Sequence, residues 1–291
     1  MTSFRRELIE LIRPELKGPL TKEFVAKFDA ILDSCGVPKD AEEEAPPKPA
    51  PKPTPPEPKR DAAPKGGKLD VPGLRRRLGL SPAGRFDDAA RKALFDRLSN
   101  RKAAAITDDD FNRVAAELGV SVKIIRAVRK VEAPRGPFDD QGRPSILYEK
   151  HVFSRNTGHG FDMSHPVLSA RSWQPGTYGP FSAQYGKLAD ACELDPDAAF
   201  KACSWGAFQV LGENAESIGY DSAFDMALAL TESETAHLEC FIRFVKRKGL
   251  LDALRAAKPG NAASCVAFVK GYNGSGYAKN DYHTKLAQAA L

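Results

Sequence analysis

A carboxylate on the apolar face of a helix is the first feature of this sequence that could do chemistry. Between Ser121 and Glu132 the apolar residues Ile124, Ile125, Val128 and Val131 recur at helical spacing. Glu132 lies four residues after Val128 and seven after Ile125, so it shares their face. Lys123, Arg126, Arg129 and Lys130 occupy the other side. The pattern turns Glu132 inward at the last turn, and Pro134 ends the helix just beyond it. Burial and the partial negative charge of a helix C-terminus both favour the protonated carboxyl. A glutamic acid that keeps its proton near neutral pH is what a glycosidase needs to protonate a leaving oxygen. Position alone leaves a second reading open, in which Glu132 pairs with Arg135 or Arg143.

Two later segments could line a groove around such an acid. In SWGAFQV (204–210), Gly206 permits close backbone approach, and Gln209 carries an amide that both donates and accepts. GYNGSGY (271–277) is a glycine-rich stretch, read as a turn, carrying Tyr272, Asn273 and Tyr277. Aromatic faces and amides suit sugars, which present hydroxyls and flat C–H surfaces. Taken singly, each motif could equally be a tight turn over a core. Cysteines stand at 35, 192, 203, 240 and 265, an odd number without a CxxC pair. They read as buried free thiols. His159, His165, His237 and His283 form no metal-ligand spacing, and neither a metal nor an organic cofactor is expected.

The elements that must position these residues fall mostly after residue 104. Thr107 with Asp110 reads as a capping box for a helix through Phe111 and Leu118 that ends at Gly119, and Ser121 as the cap of the next helix. Asp195-Pro196 supplies an N-cap and a first-turn proline. Thr231 with Glu234 reads as a second capping box, leading into Leu238, Phe241, Ile242 and Val245. Only SILYEKHVF (145–153) reads as a strand, so the domain at 104–291 is expected to be mainly α with a small β element. Upstream, 68–103 reads as a small helical piece with Leu74 and Leu78 on one helix and Leu94 and Leu98 on another. Nine prolines between Pro46 and Pro64 mark 41–67 as an extended linker, and 1–40 reads as two short amphipathic helices of unknown purpose.

Composition excludes several classes. Hydrophobic residues at 42% and charged residues at 28% are ordinary for a globular chain. No run approaches the roughly 18 apolar residues of a membrane span, so no stable membrane insertion is expected. A net charge of +5 is too small and dispersed to prove a nucleic-acid partner, but it suits a polyanion such as a bacterial wall. The N-terminus MTSFRRELIELIRPELKG is interrupted by charge and shows no signal-peptide core, so cytoplasmic synthesis is expected.

The order of motifs carries a resemblance. A helix-terminal Glu followed by S-x-G-x-x-Q-[IV] and then [AG]-Y-N-x-G is similar to goose-type lysozymes and bacterial lytic transglycosylases. More closely, GRPSILYEKHVFSR (142–155), KACSWGAFQVLGENAESIGY (201–220) and FVKGYNGSGYAKNDYHTKLAQA (268–289) resemble the N-acetylmuramidase domain of phage endolysins. The resemblance implies a lysozyme-like α+β fold and a glycoside hydrolase that cuts the β-1,4 bond between N-acetylmuramic acid and N-acetylglucosamine. It implies Glu132 as the catalytic acid, and a cleft lined by Tyr148, His151, Ser204, Trp205, Gln209, Tyr272, Asn273 and Tyr277. Glu149 belongs to the resembling motif and could position water or stabilise an oxocarbenium-like transition state, or be tied to Arg143, Lys150 or His151. One departure stands after the catalytic helix, where the family's V-E-S-x-G-x-G-F is here Val131-Glu132-Ala133-Pro134-Arg135-Gly136-Pro137-Phe138, without the serine. Residues 68–103 resemble in part a helical peptidoglycan-binding module, departing at the turn Gly84-Arg85-Phe86; the other reading is a connector packed on the main domain. The partner implied is peptidoglycan, met by a monomer that crosses the membrane through a pore made by another protein and acts in the periplasm.

Three rivals remain. A lytic transglycosylase would cut the same bond and form a 1,6-anhydro sugar. A non-catalytic wall-binding protein would share the small module and linker. A helix-turn-helix DNA binder is imitated by FNRVAAELGVSVKIIRAVRKV (111–131), with Arg126, Arg129 and Lys130 on its second helix.

Overall fold

The computed structural model describes residues 67–174 and 176–291. The two helices read in 1–40, the linker through residue 66 and Cys35 lie outside the described residues. Two short helices come first, α1 (Val71–Arg77) and α2 (Asp88–Arg97), capped by Asp70 and Asp87, whose side chains accept from Gly73 and Ala90 amides. The Thr107–Asp110 capping box then opens α3 (Asp108–Leu118), and left-handed Gly119 at φ 64° ends it. Helix α4 (Val122–Glu132) follows, with Ile124 and Ile125 fully buried and Val128 nearly so. Ser121 precedes it without a side-chain capping bond, so the cap read there is one of position alone. Ala133 leaves the helical region (φ −125°, ψ 71°) before Pro134, because a proline disfavours helical backbone in the residue ahead of it.

A three-stranded antiparallel sheet comes next in the order β1-β2-β3 (Ile146–Tyr148, Cys203–Trp205, Val210–Leu211). The strand read at 145–153 is therefore cut to three residues, and Lys150–Asn156 forms α5 instead. Helices α6 (Gln184–Leu194) and α7 (Pro196–Lys201) follow and pack on one another, with α6 also against β1; α7 is capped by Asp195 as its sequence implied. The helix before SWGAFQV ends at Lys201, and Cys203–Trp205 is strand.

Helix α8 (Ala223–Glu232) and helix α9 (Glu234–Arg247) form the centre. Thr231 lies inside α8 and donates to Ala227 O (3.0 Å). Ser233 is the true cap of α9, accepting from Ala236 N, so the capping signal sits two residues later than its Thr231–Glu234 spelling suggested. Eight of the fourteen residues of α9 are buried, which makes it the core helix. Its Phe241 stacks on Phe208 (4.6 Å between centroids), and its Phe244 meets Tyr272 edge-on at 5.2 Å. Helices α10 (Leu251–Ala256), α11 (Ala262–Asn273) and α12 (Tyr282–Ala289) close the domain, and α12 packs against both α11 and α4. A mainly helical body with a small sheet is thus the observed class. Cys192, Cys203, Cys240 and Cys265 are free and buried.

Helices α1 and α2 share this core rather than standing apart. Leu74, Phe86, Ala90, Leu94 and Leu98 belong to the same buried cluster as the later helices. Arg143 lies between the rings of Phe95 (5.0 Å) and Tyr185 (4.0 Å) while Asp139 holds its guanidinium at 2.7 Å. Arg91 reaches Asp190 and Glu193, and Asn100 Nδ2 donates to Thr231 O at 3.0 Å.

Candidate active site

Helix α4 delivers Glu132 as its periodicity implied. Neither arginine considered as a partner is there: Arg143 is engaged by Asp139, and Arg135 lies over the Phe181 ring at 5.6 Å. What meets the carboxylate is a neutral amide, Asn273 Nδ2 donating to Glu132 Oε1 at 2.8 Å. Desolvation raises the Glu132 pKa to about 7, and the Asn273 hydrogen bond only partly opposes it. Asn273 is the last residue of α11, not part of a loop. Gly274 follows at φ 76° and ψ −170°, a conformation available essentially to glycine, and turns the chain away. Tyr272, one residue earlier, packs against Phe268, Phe241 and Phe244 and donates to Phe208 O (2.6 Å). It anchors the end of α11 beside the acid rather than offering a free hydroxyl.

Strand alternation sorts the second cluster. In the β1–β2 register Leu147 faces Ser204 and Tyr148 faces Cys203. Glu149 N continues the ladder to Ala202 O (2.8 Å), so Glu149 projects on the Leu147 and Ser204 side. Ser204 Oγ accordingly donates to Glu149 Oε1 at 3.0 Å. His151 Nε2 lies 3.6 Å from Glu149 Oε2. Burial and the Arg155 guanidinium hold His151 below its ordinary value, which favours the neutral ring. Burial raises the Glu149 pKa, while the Ser204 hydroxyl and the field of Arg155 pull it down.

The same alternation removes two residues from the expected lining. Tyr148 and Trp205 are buried away from this cluster, at 0% and 1% exposure. Tyr148 donates its hydroxyl to Leu168 O (3.0 Å), and Trp205 donates its indole N–H to Phe200 O (3.1 Å) while stacking on that ring. Both are core residues. Gln209 is structural in its nitrogen: in left-handed conformation (φ 48°), it donates Nε2 to Gly206 O (2.8 Å) and Ser145 O (3.2 Å), holding the corner. The close approach that Gly206 permits is to His237, whose Nδ1 would lie 2.7 Å from an added Cβ. Tyr277, half-buried, sits edge-on to His283 at 5.6 Å.

One residue escaped the sequence reading. Tyr282, the first residue of α12, lies within electrostatic reach of both Glu132 and Glu149, and burial together with the two carboxylates pushes its phenol up to about 12. A single ring thus links the two acidic clusters. Its only sequence signal was its place in the KNDYHTK stretch, which has no diagnostic spacing. No group of three or more potential metal ligands occurs among the described residues.

Helices α3 and α4 are consecutive, in contact and joined by a short turn at Gly119, but two of the basic side chains read as a recognition surface are engaged within the chain. Arg126 bonds Asp108 at 2.8 Å and lies 4.2 Å from the Phe111 ring centroid. Arg129 pairs with Glu234, which is 2% exposed and also accepts from Ile106 N at 3.1 Å.

Known proteins agree with this architecture. An endolysin of Enterobacteria phage PRD1 is 28% identical over 111 residues, 38% of this chain and 72% of that protein. The crystal structure of Burkholderia AP3 phage endolysin superposes with a TM-score of 0.56 and 31% identity, covering 77% of this chain and 95% of that one. Residues 121–291, from the cap position of α4 to the last residue, match the family model described as Muramidase, N-acetylmuramidase. The shared structure with the AP3 protein exceeds that span, so it extends upstream of the family match. The chain, with its helix-borne Glu132 and small sheet, belongs to the N-acetylmuramidase family.

Proposed function

We propose that Glu132 is the general acid of a peptidoglycan hydrolase of the phage endolysin type. The bond cut is the β-1,4 linkage between N-acetylmuramic acid and N-acetylglucosamine. The observation that carries this reading is a desolvated carboxyl at a helix terminus, contacted by an uncharged amide and titrating near 7. In its protonated state it can hand a proton to the glycosidic oxygen as the bond lengthens. Asn273 fixes one carboxyl oxygen, which leaves Glu132 Oε2 as the atom to carry the proton. Glu149, held by Ser204 and faced by His151, is the negative charge that stabilises an oxocarbenium-like transition state or positions the attacking water. Tyr282, Asn273 and Tyr277 contribute to the groove between them.

The test is Glu132→Gln, which keeps shape and removes the transferable proton. Clearing of purified cell walls should fall by about a thousandfold with the melting profile at acidic pH unchanged. Retention of half the activity would defeat the assignment. Mass spectrometry of the released fragments distinguishes hydrolysis, which adds one water, from the transglycosylase outcome, which leaves a 1,6-anhydro end.

In this reading a monomer works on the wall after release through a pore made by another protein. No helix among the described residues is long and apolar enough to cross a membrane. Residues 68–103 serve as a wall-holding module fused to the catalytic body, a reading supported by their partial resemblance and compatible with the contacts of Arg91, Arg143 and Asn100.

A further inference from the structure

The segment between α5 and α6 carries large apolar side chains that the chemistry above does not use. Met163, Val167 and Trp173 are 95%, 65% and 44% exposed. Exposure here does not mean a loose segment, because the residues on either side of Glu149 fasten it. Tyr148, just before Glu149, donates its hydroxyl to Leu168 O at 3.0 Å. Lys150, just after, reaches Pro166 O (3.4 Å) and Gln174 Oε1 (3.3 Å). Buried Gln184 accepts from Tyr148 N at 3.0 Å and donates to Tyr178 O (2.8 Å) and Pro180 O (3.0 Å). Lys187 Nζ adds a third hold on this stretch, also at Tyr178 O (2.6 Å). Trp173 in turn lies within side-chain reach of the Tyr178 phenol, and that phenol lies within the field of Glu149. Two aromatic rings are therefore held at the Glu149 end of the site, one of them open to solvent.

Resting on the reading of this chain as a glycan hydrolase, we propose that Trp173 and Tyr178 form a saccharide-stacking subsite on the Glu149 side of the cleft. The chemistry it takes is an N-acetylated pyranose ring of the glycan strand, away from the bond being cut. An indole face meets the C–H face of such a ring, and the phenol beside it offers a hydroxyl to the sugar. A rigid aromatic loses little conformational freedom when it binds, so preorganisation by Gln184, Lys150 and Lys187 favours binding rather than the chemical step. A membrane-facing role for the same apolar side chains is the competing outcome, and the experiment includes it.

The chain has two tryptophans, and Trp205 is 1% exposed, so accessible indole emission reports on Trp173. In a Glu132→Gln background, titration with an N-acetylglucosamine tetrasaccharide should quench or blue-shift that emission to saturation. Phosphatidylglycerol vesicles should leave it unchanged. Trp173→Ala in the otherwise native enzyme should raise KM on solubilised peptidoglycan about tenfold with kcat and melting temperature nearly unchanged, while Trp173→Tyr restores most of the binding. Unaltered emission at saturating saccharide, an unaltered KM in Trp173→Ala, or a response to vesicles alone would each overturn the subsite. Loss of activity in Glu132→Gln concerns the acid, so the two readings fail separately.

Discussion

Glu132 and Glu149, the two carboxylates of the proposed site, stand in opposite settings. Glu132 ends a helix, and its hydrogen-bond partner is an uncharged amide. Glu149 precedes a helix, accepts from a hydroxyl, faces an imidazole and feels a guanidinium. Burial raises both, but for Glu149 the Ser204 hydroxyl and the Arg155 guanidinium stabilise the charge against burial and the Glu213 carboxylate, whereas Glu132 has Asn273 alone. In the proposed mechanism the difference teaches how one fold divides acid and anion between two identical side chains: helix end and partner polarity decide it, not residue type.

The comparison breaks most visibly on activity. Glu132→Gln should cost about a thousandfold in kcat, and Glu149→Gln about ten- to a hundredfold, measured as wall clearing and fragment release. Equal losses would mean that the two carboxylates share one role. The pH profile sharpens the same point. The acid must be protonated, so kcat/KM should fall above about pH 7, following the Glu132 titration. Asn273→Ala removes a hydrogen bond that favours the charged form, so it should move that limb to higher pH while lowering kcat about tenfold. Glu149→Gln should leave the limb in place.

How much of this was legible depends on which periodicity carried it. Glu132 was readable because four apolar residues at helical spacing define a face and a proline marks its end. Tyr148 and Trp205 were misread as lining because ILY and CSW are too short to show alternation, and only the β1–β2 register tells which face is buried. Glu149 was placed on a strand although it is the hinge to α5, since KHVF reads equally well in either conformation. Thr231 imitated a cap because Glu234 stands three residues on, yet that carboxylate is engaged by Arg129 and the Ile106 amide. Tyr282 and Trp173 gave no diagnostic signal, because what makes them notable is proximity across long separations in the chain.

A smaller consequence of the comparison concerns stability. The folded state holds the Glu132 proton more tightly than the unfolded chain, whose carboxyl titrates near 4.5. Stability from this group is therefore greatest below 4.5 and declines as pH rises through about 7. Above that the native protein carries a desolvated charge, a cost of roughly 1–3 kcal/mol after allowance for its partial exposure. Glu132→Gln has no charge to desolvate. It should melt several degrees higher than wild type at pH 8 and close to it at pH 5, read by calorimetry. A Glu149→Gln variant should show a weaker version of this trend, since Ser204 and the field of Arg155 already offset part of the burial.

The smallest expected effect lies in the Ser204 hydroxyl. Ser204→Ala leaves a 7%-exposed position filled by a methyl group and deletes one hydrogen bond to Glu149 Oε1. That bond lowers the Glu149 pKa, so its loss raises it and reduces the fraction ionised on the acid side of the activity profile. The predicted result is a two- to fivefold loss of kcat/KM, about what one net hydrogen bond is worth, concentrated below pH 6 and nearly absent at pH 7.5. If the loss were instead uniform across pH, Ser204 would be acting on substrate directly, and the anionic half of the comparison would need a different support.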